Sequence, residues 1–236
     1  MMDTTYFTLQ LIASISSFIC GILLLMLHIP NDASSRSDRV SRALLILAYF
    51  ILGVSTATFL LDATDYAPER LTNFFLFVSS TQSFLVALSV FTLLGGDNLL
   101  NRKHLFWFSL PSVCVIIITL IICQYFTLDS FIKRVLYSVM CVAYFIQVGI
   151  YVYLFIKQSR LLKISGSPLW WLKYTSYSSI AVSIIAIIAI LYPLRIVHLT
   201  FIAIYSIVPL RLAIGYINYS RTLGKKEEVM TDLECL

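Results

Sequence analysis

The amino-acid sequence predicts an all-α integral membrane protein, a seven-transmembrane-helix bundle with its N-terminus outside and its C-terminus in the cytoplasm. Two observations predict this class. Of the 236 residues, 59% are hydrophobic and only 12% are charged, which is about half the charged share of a soluble domain. The apolar residues also collect in long runs, and about 20 apolar residues of α-helix cross a bilayer core about 30 Å thick. A soluble globular fold is therefore excluded.

Seven apolar runs reach about this length, and several end at residues that stop a helix. Pro30 and a polar stretch follow the first run, and Gly95 and Gly96 follow the third. The predicted helices cover residues 5–28, 43–62, 71–94, 105–123, 135–156, 174–192 and 199–218. They form one transmembrane domain over residues 1–218, and residues 219–236 form a cytoplasmic tail that is disordered or a short helix.

The positions of the basic residues predict the orientation. If successive loops alternate between the two sides, one side carries twelve Lys and Arg residues and the other carries four. The twelve are Arg36, Arg39, Arg42, Arg102, Lys103, Lys157, Arg160, Lys163, Lys173, Arg221, Lys225 and Lys226. The four are Arg70, Lys133, Arg134 and Arg195. Because cytoplasmic loops retain Lys and Arg, the side with twelve is the cytoplasmic side.

Polar side chains at membrane depth are the candidates for function. In the fifth run, Tyr144, Gln147 and Tyr151 share one helical face because of their i, i+3, i+7 spacing. Gln82 lies near the middle of the third run. Polar groups in hydrocarbon are costly unless they are paired, so these faces should point into the bundle. Two interpretations stay open: hydrogen bonds that join the helices, or a small-molecule pocket lined by these four residues.

Arg211 is the one basic residue deep within a run, 12 residues into the seventh. Its side chain can extend to the cytoplasmic head groups, as long basic side chains do near the ends of membrane helices. The functional alternative is a coupling charge that links the seventh helix to its neighbours during a conformational change. No carboxylate lies inside a run to pair with it, since Asp62 only ends the second run, and this disfavours a proton-coupled transporter.

Signatures of catalysis and cofactor binding are absent from the sequence. It contains no G-x-S-x-G, H-E-x-x-H or G-x-x-x-x-G-K-[ST] motif. His28, His104 and His198 lack the spacing of a metal-binding pair, and the seventh run has no lysine for a retinal Schiff base. We therefore expect no catalytic residue, metal or cofactor. Because the basic residues are spread over short loops, we also expect no direct binding of nucleic acid.

Seven helices with an outside N-terminus, short loops and a basic C-terminal exit resemble a known architecture. The residues that carry the resemblance are the basic stretch 35–42, the turn 95–104 and the run 205–221. The first 220 or so residues resemble the membrane-embedded input region of bacterial membrane-anchored AraC-type regulators and related seven-helix sensor proteins. Those regulators continue into a DNA-binding domain, whereas this sequence stops at Leu236. The chain is either a truncated or split sensor module, or similar in architecture only.

The sequence thus predicts a multi-pass sensor or signal-transduction input module without catalytic activity. A small-molecule transporter or channel is the alternative hypothesis, and a membrane enzyme is the third. The expected partners are the lipid bilayer, a cytoplasmic protein or DNA-binding regulator, and a second copy of the chain in a homodimer. The expected location is the inner (plasma) membrane of a bacterium.

Overall fold

The computed structural model describes residues 4–27, 36–62, 68–95, 102–124, 130–161, 171–192 and 194–234. In this part of the chain the regular structure is entirely α-helical. The helices are α1 (Thr4–Met26), α2 (Arg36–Asp62), α3 (Pro68–Gly95), α4 (Arg102–Gln124), α5 (Ser130–Leu161), α6 (Trp171–Leu191) and α7 (Arg195–Glu234). One helix covers each predicted run, so the all-α class is confirmed. His28, which ends the first predicted run, lies outside the described residues, as do residues 235–236 of the predicted tail.

Five of these helices are long and apolar enough to cross a membrane, which supports an integral membrane protein. The five stretches are Thr4–Met26, Ser37–Ala57, Phe77–Leu94, Arg134–Lys157 and Ile196–Thr222. In the described residues, α4 and α6 contain shorter apolar stretches, Ser109–Ile118 and Ile180–Ala189. The number of seven membrane-crossing helices therefore stays a prediction.

Helix α7 is longer than the sequence predicts. It continues beyond residue 218 to Glu234, so the described part of the predicted tail is helical and continuous with the last apolar run. This stretch is rich in Lys, Glu, Met and Leu, which favour helix and offset Gly224. Of the two states left open for the tail, the structure shows the helix.

The helices form a closed ring in chain order. Each helix contacts the next, and α7 contacts α1. Helix α3 also contacts α5 and α6, and it has the largest buried share of the five apolar stretches. Because α3 contacts four other helices, it is the most enclosed of the five apolar stretches.

Hydrogen bonds fix how α1 and α2 pair. Ser14 Oγ donates to the Gly53 carbonyl at 3.1 Å, and Arg42 Nη1 donates to the Leu27 carbonyl at 2.6 Å. Ser14 precedes Leu27 along the chain whereas its partner Gly53 follows Arg42, so the two helices are antiparallel. The second bond satisfies a carbonyl just beyond the last turn of α1, where no helical N–H is available to it.

Apolar side chains both fill and cover the bundle. One buried cluster lies near the end of α1 and the start of α2 and includes Leu24 and Leu45. Another lies nearer the start of α1 and includes Ala13 and Phe201. Large apolar side chains also cover the outside, where Ile12, for example, is 52% exposed. An apolar exterior suits contact with lipid, because lipid tails are themselves apolar.

Helices α6 and α7 approach each other closely at Gly215. A Cβ atom built at this glycine would lie 2.6 Å from Trp171 Cε3, and the Trp171 side chain is buried. Real side chains do not approach this closely, so a side chain at position 215 would push the two helices apart.

Gly215→Ala is expected to destabilise the protein by about 1–3 kcal/mol, the usual cost of overpacking a core. The matched control is Gly149→Ala on α5, because a Cβ atom there has no neighbour within 4 Å. Thermal unfolding of the purified protein in detergent measures both variants. We expect a Tm several degrees lower for the first variant. The second should have an equal or slightly higher Tm, because Ala favours a helix over Gly by about 0.5–1 kcal/mol. Equal Tm values would contradict the close approach of Trp171.

Candidate functional site

The polar side chains in the middle of the bundle join helix to helix. Ser80 Oγ on α3 donates to Gln147 Oε1 on α5 at 2.8 Å, and Gln147 Nε2 donates to the Ser80 carbonyl at 2.9 Å. Both side chains are fully buried. The amide of Gln147 thus uses its donor and its acceptor on one residue of α3, which fixes the register of the two helices.

Helix α2 is joined to α3 in the same way. Gln82 Nε2 donates to the Ala48 carbonyl at 2.7 Å, and the Ser41 and Ser89 hydroxyls lie 2.7 Å apart. Ser89 Oγ also lies 3.1 Å from the Ser41 carbonyl. Small hydroxyl residues allow two helices to approach closely and bond within hydrocarbon.

Two tyrosines on α5 reach the helices on either side. The Tyr151 hydroxyl lies 3.0 Å from Ser112 Oγ on α4. The Tyr144 hydroxyl donates to Ser183 Oγ on α6 at 3.3 Å. Together with Gln147, these residues make one face of α5 the contact surface for three neighbouring helices.

Helices α2 and α7 are joined through backbone carbonyls. The Tyr49 hydroxyl donates to the Pro209 carbonyl, and the Tyr216 hydroxyl donates to the Asp38 carbonyl at 3.2 Å. Pro209 lies inside α7, where it lacks the N–H that would bond the Tyr205 carbonyl. Helix α7 therefore lacks one backbone hydrogen bond at the point where Tyr49 of α2 contacts it.

A cavity of about 110 Å³ lies between α3, α5, α6 and α7. Most of its lining is apolar, and none of the described residues that line it is charged. Its polar lining residues are Gln82, Ser83, Tyr151, Ser183 and Tyr205. Val208, Pro209 and Leu212 form much of the α7 wall. Concave, mostly apolar sites with a few polar groups are the usual form of small-molecule sites.

The structure divides the four predicted pocket residues into two pairs. Gln82 and Tyr151 line the cavity. Tyr144 and Gln147 do not belong to its lining, but Tyr144 bonds Ser183, which does. The four residues therefore hold the helices together, and two of them also face the cavity.

Arg211 lies on the exposed surface of α7, next in sequence to the buried Leu212. This position suits a side chain that extends along the outside of the bundle to the head groups. The role of Arg211 as a coupling charge stays a prediction.

The polar lining residues that sequence reasoning missed are Ser83, Ser183 and Tyr205, and Tyr205 is the largest of them. Its side chain is 9% exposed, and its buried hydroxyl makes no hydrogen bond with the described residues. Tyr205 also lines a smaller cavity, of about 20 Å³, next to Gln10. The available signal was the spacing of Tyr205, Pro209 and Leu212, which repeats at four and three residues and marks one face of a helix.

A metal centre has no support in the described residues, where no three His, Cys, Asp or Glu side chains form a group that could hold an ion. Comparisons with protein-family models, with curated proteins and with solved structures find no match to this chain.

The bond between Ser80 and Gln147 can be measured with a double-mutant cycle. Ser80→Ala, Gln147→Leu and the double variant should give a coupling free energy of about 0.6–1.7 kcal/mol, the range seen for such bonds in membrane proteins. Unfolding of the purified protein in detergent supplies the free energies. Ser138→Ala is the control for the serine change, because Ser138 is exposed and bonds only within α5. Additive effects of the two substitutions would contradict the bond.

Proposed function

We propose that the chain is a membrane sensor or signal-transduction input module without catalytic activity. One observation carries this proposal: α7 forms a wall of the cavity and continues as a single helix to Glu234. Its 40 residues correspond to about 60 Å, or about twice the hydrocarbon thickness. A change in packing at the cavity therefore acts on a helix that reaches beyond the membrane.

The contacts between α2 and α7 are the part of the structure that a bound ligand or a change in the membrane would alter. Tyr49 holds α7 at Pro209, and Tyr216 holds α2 at Asp38. A cue can shift the balance between two helix arrangements only if it binds one of them better. A molecule in the cavity touches Pro209 directly, so its binding depends on the position of α7.

The same proposal includes seven membrane crossings. Helices α4 and α6 have 23 and 21 residues, or about 35 and 32 Å, enough for a core about 30 Å thick. Both pack against the apolar helices beside them. With seven crossings, the twelve basic residues lie on one side. The positive-inside rule then predicts an N-terminus outside and a C-terminus in the cytoplasm.

The partner we propose is a cytoplasmic protein, with a DNA-binding regulator as the case that the resemblance suggests. It would contact the basic stretch from Lys157 to Lys173 and the C-terminal end of α7. A homodimer in a bacterial inner membrane completes the proposal.

The seven crossings can be tested with reporter fusions at five positions. Fusions after Asp65, Thr127 and Pro193 should report the outside. Fusions after Asn98 and Lys163 should report the cytoplasm, because the positive-inside rule retains the basic loops there. Activities of a periplasmic and a cytoplasmic reporter, normalised to expression, measure the side.

Each helix in doubt has its own pair of fusions. If the fusions after Asn98 and Thr127 report the same side, α4 does not cross the membrane. If the fusions after Lys163 and Pro193 report the same side, α6 does not cross it. The same side for Asp65 and Lys163 would overturn the whole orientation.

The sensing proposal predicts that a contact in the membrane controls a contact in the cytoplasm. Photo-crosslinking in cells from positions 163 and 225 should capture a specific cytoplasmic protein. Tyr49→Phe removes one hydrogen bond between α2 and α7, worth about 0.5–1.5 kcal/mol. It should therefore change the crosslinking yield by about 2- to 10-fold.

Tyr153→Phe is the matched control, because it removes the same hydroxyl from a tyrosine that is 64% exposed on α5. Its crosslinking yield should equal that of the unaltered protein. Capture of no specific protein, or a yield that Tyr49→Phe leaves unchanged, would count against the sensor.

A further inference from the structure

The cavity of about 110 Å³ is partly open rather than enclosed. Val148 and Val152 on α5 and Ile180 on α6 line it, and all three are also partly exposed. Helices α6 and α7 instead meet closely, at Trp171 and Gly215. The opening therefore lies between α5 and α6, which follow each other around the bundle.

The opening lies at the depth of lipid acyl chains. The apolar stretch of α5 ends at Lys157. Val152 and Val148 precede Lys157 by five and nine residues, which is about 8 and 14 Å along the helix. Half of the hydrocarbon core of a bilayer measures about 15 Å. The opening therefore faces the terminal half of the acyl chains in one leaflet.

The cavity is elongated along the helix axes. Its lining runs from Val148 to Phe155 on α5 and from Tyr205 to Leu212 on α7. Each of these spans covers seven residues, or about 10 Å of helix. Membrane helices are tilted by only about 20° from the bilayer normal, so the acyl chains beside them run in nearly the same direction. An acyl chain thus matches the long axis of the cavity.

The lining suits hydrocarbon better than an ion or water. No charged residue is found among the described residues of the lining, so an ion would lose its hydration without gaining a counter-charge. Gln82, Tyr151 and Ser183 line the cavity, but each already bonds a neighbouring helix. Few polar groups are left for a buried water, which needs two to four partners. A hydrocarbon chain gains dispersion contacts with such a wall.

The volume of the cavity sets how much of a chain can enter. An apolar cavity of about 150 Å³ in another protein holds benzene, which corresponds to about 25 Å³ for each carbon. At this ratio, the volume of about 110 Å³ accommodates about four carbons. That is the end of an acyl chain, and the rest of the lipid stays in the bilayer.

We propose that the cavity binds the end of one acyl chain of a membrane phospholipid, which enters between α5 and α6. The chain end then contacts Pro209, on the wall that α7 contributes. The inference rests on the proposed sensing function in one respect, since it makes this acyl chain the membrane cue.

Photolabelling of the purified full chain in lipid nanodiscs tests the proposal. The probe is a phospholipid with a diazirine at the end of one acyl chain, and fragmentation mass spectrometry locates the labelled residues. Labels are expected on α3, among residues 82–91. In the stretch Phe77–Leu94 of α3, no described side chain is exposed, so a label there reports entry into the bundle. Ile146 on α5 is exposed and should be labelled by lipid in every sample.

Two alanine variants test whether the label arrives through the cavity. Ala87→Leu adds three carbons to a residue of the lining, which leaves room for about one of the four carbons of a chain end. It should lower the labelling of α3, relative to that of Ile146, by about 4-fold, the ratio of these two numbers of carbons. Ala181→Leu adds the same three carbons at an exposed position of α6 and should leave the labelling of α3 unchanged.

Two further probes need no variant. A phospholipid with its diazirine next to the ester should leave α3 unlabelled, because that part of the chain stays near the head groups. A free fatty acid with a diazirine at its chain end, used at the same mole fraction, should label α3 no more strongly than the phospholipid does.

Four results would overturn the proposal. One is an unlabelled α3 in a sample where Ile146 is labelled. Another is equal labelling of α3 from the two diazirine positions. The third is labelling that Ala87→Leu leaves unchanged while Tm shows a folded variant. The fourth is stronger labelling by the fatty acid, which would assign the cavity to that compound. None of these concerns the crosslinking test of Tyr49→Phe, which captures a cytoplasmic protein, so a failed acyl-chain site and a failed sensor are distinguishable.

Discussion

The bilayer supplies no water to a polar group at its centre, and this constraint explains how the bundle is assembled. Each polar side chain at that depth must find a partner on its own helix or a neighbouring one. Gln147 accepts one hydrogen bond from Ser80 and donates another to it, and Gln82 donates one to the Ala48 carbonyl. Since both residues bond across α3, this helix is tied to the helices on either side of it.

The cavity follows from the same bonds. Three residues of its lining direct polar atoms away to a neighbour: Gln82 to α2, Tyr151 to α4 and Ser183 to α5. What these residues leave facing the cavity is largely apolar, and Tyr205 lines the cavity from α7. A space with few polar groups is thus a product of satisfied hydrogen bonds around it, and Tyr205 is the exception.

Sequence reasoning located every helix of the described part because length and apolar composition are set by the thickness of the membrane. It also found the buried face of α5, since Tyr144, Gln147 and Tyr151 keep the helical period. It could not choose between helix contact and pocket, because Gln82 and Tyr151 do both. It missed Tyr205, and it predicted how deep Arg211 lies in α7 but not which face of the helix it is on. The reason is that a helix with apolar residues all round does not show which face is buried.

The proline in α7 has a mechanical consequence. From Pro209 to Glu234 the helix runs for 25 residues, or about 38 Å. A bend of about 5° at the proline would swing the far end by about 3 Å, the displacement that follows from this length. The helical stretch beyond Pro209 is thus a lever arm. A small change of angle at the proline becomes a displacement as long as a hydrogen bond at Glu234.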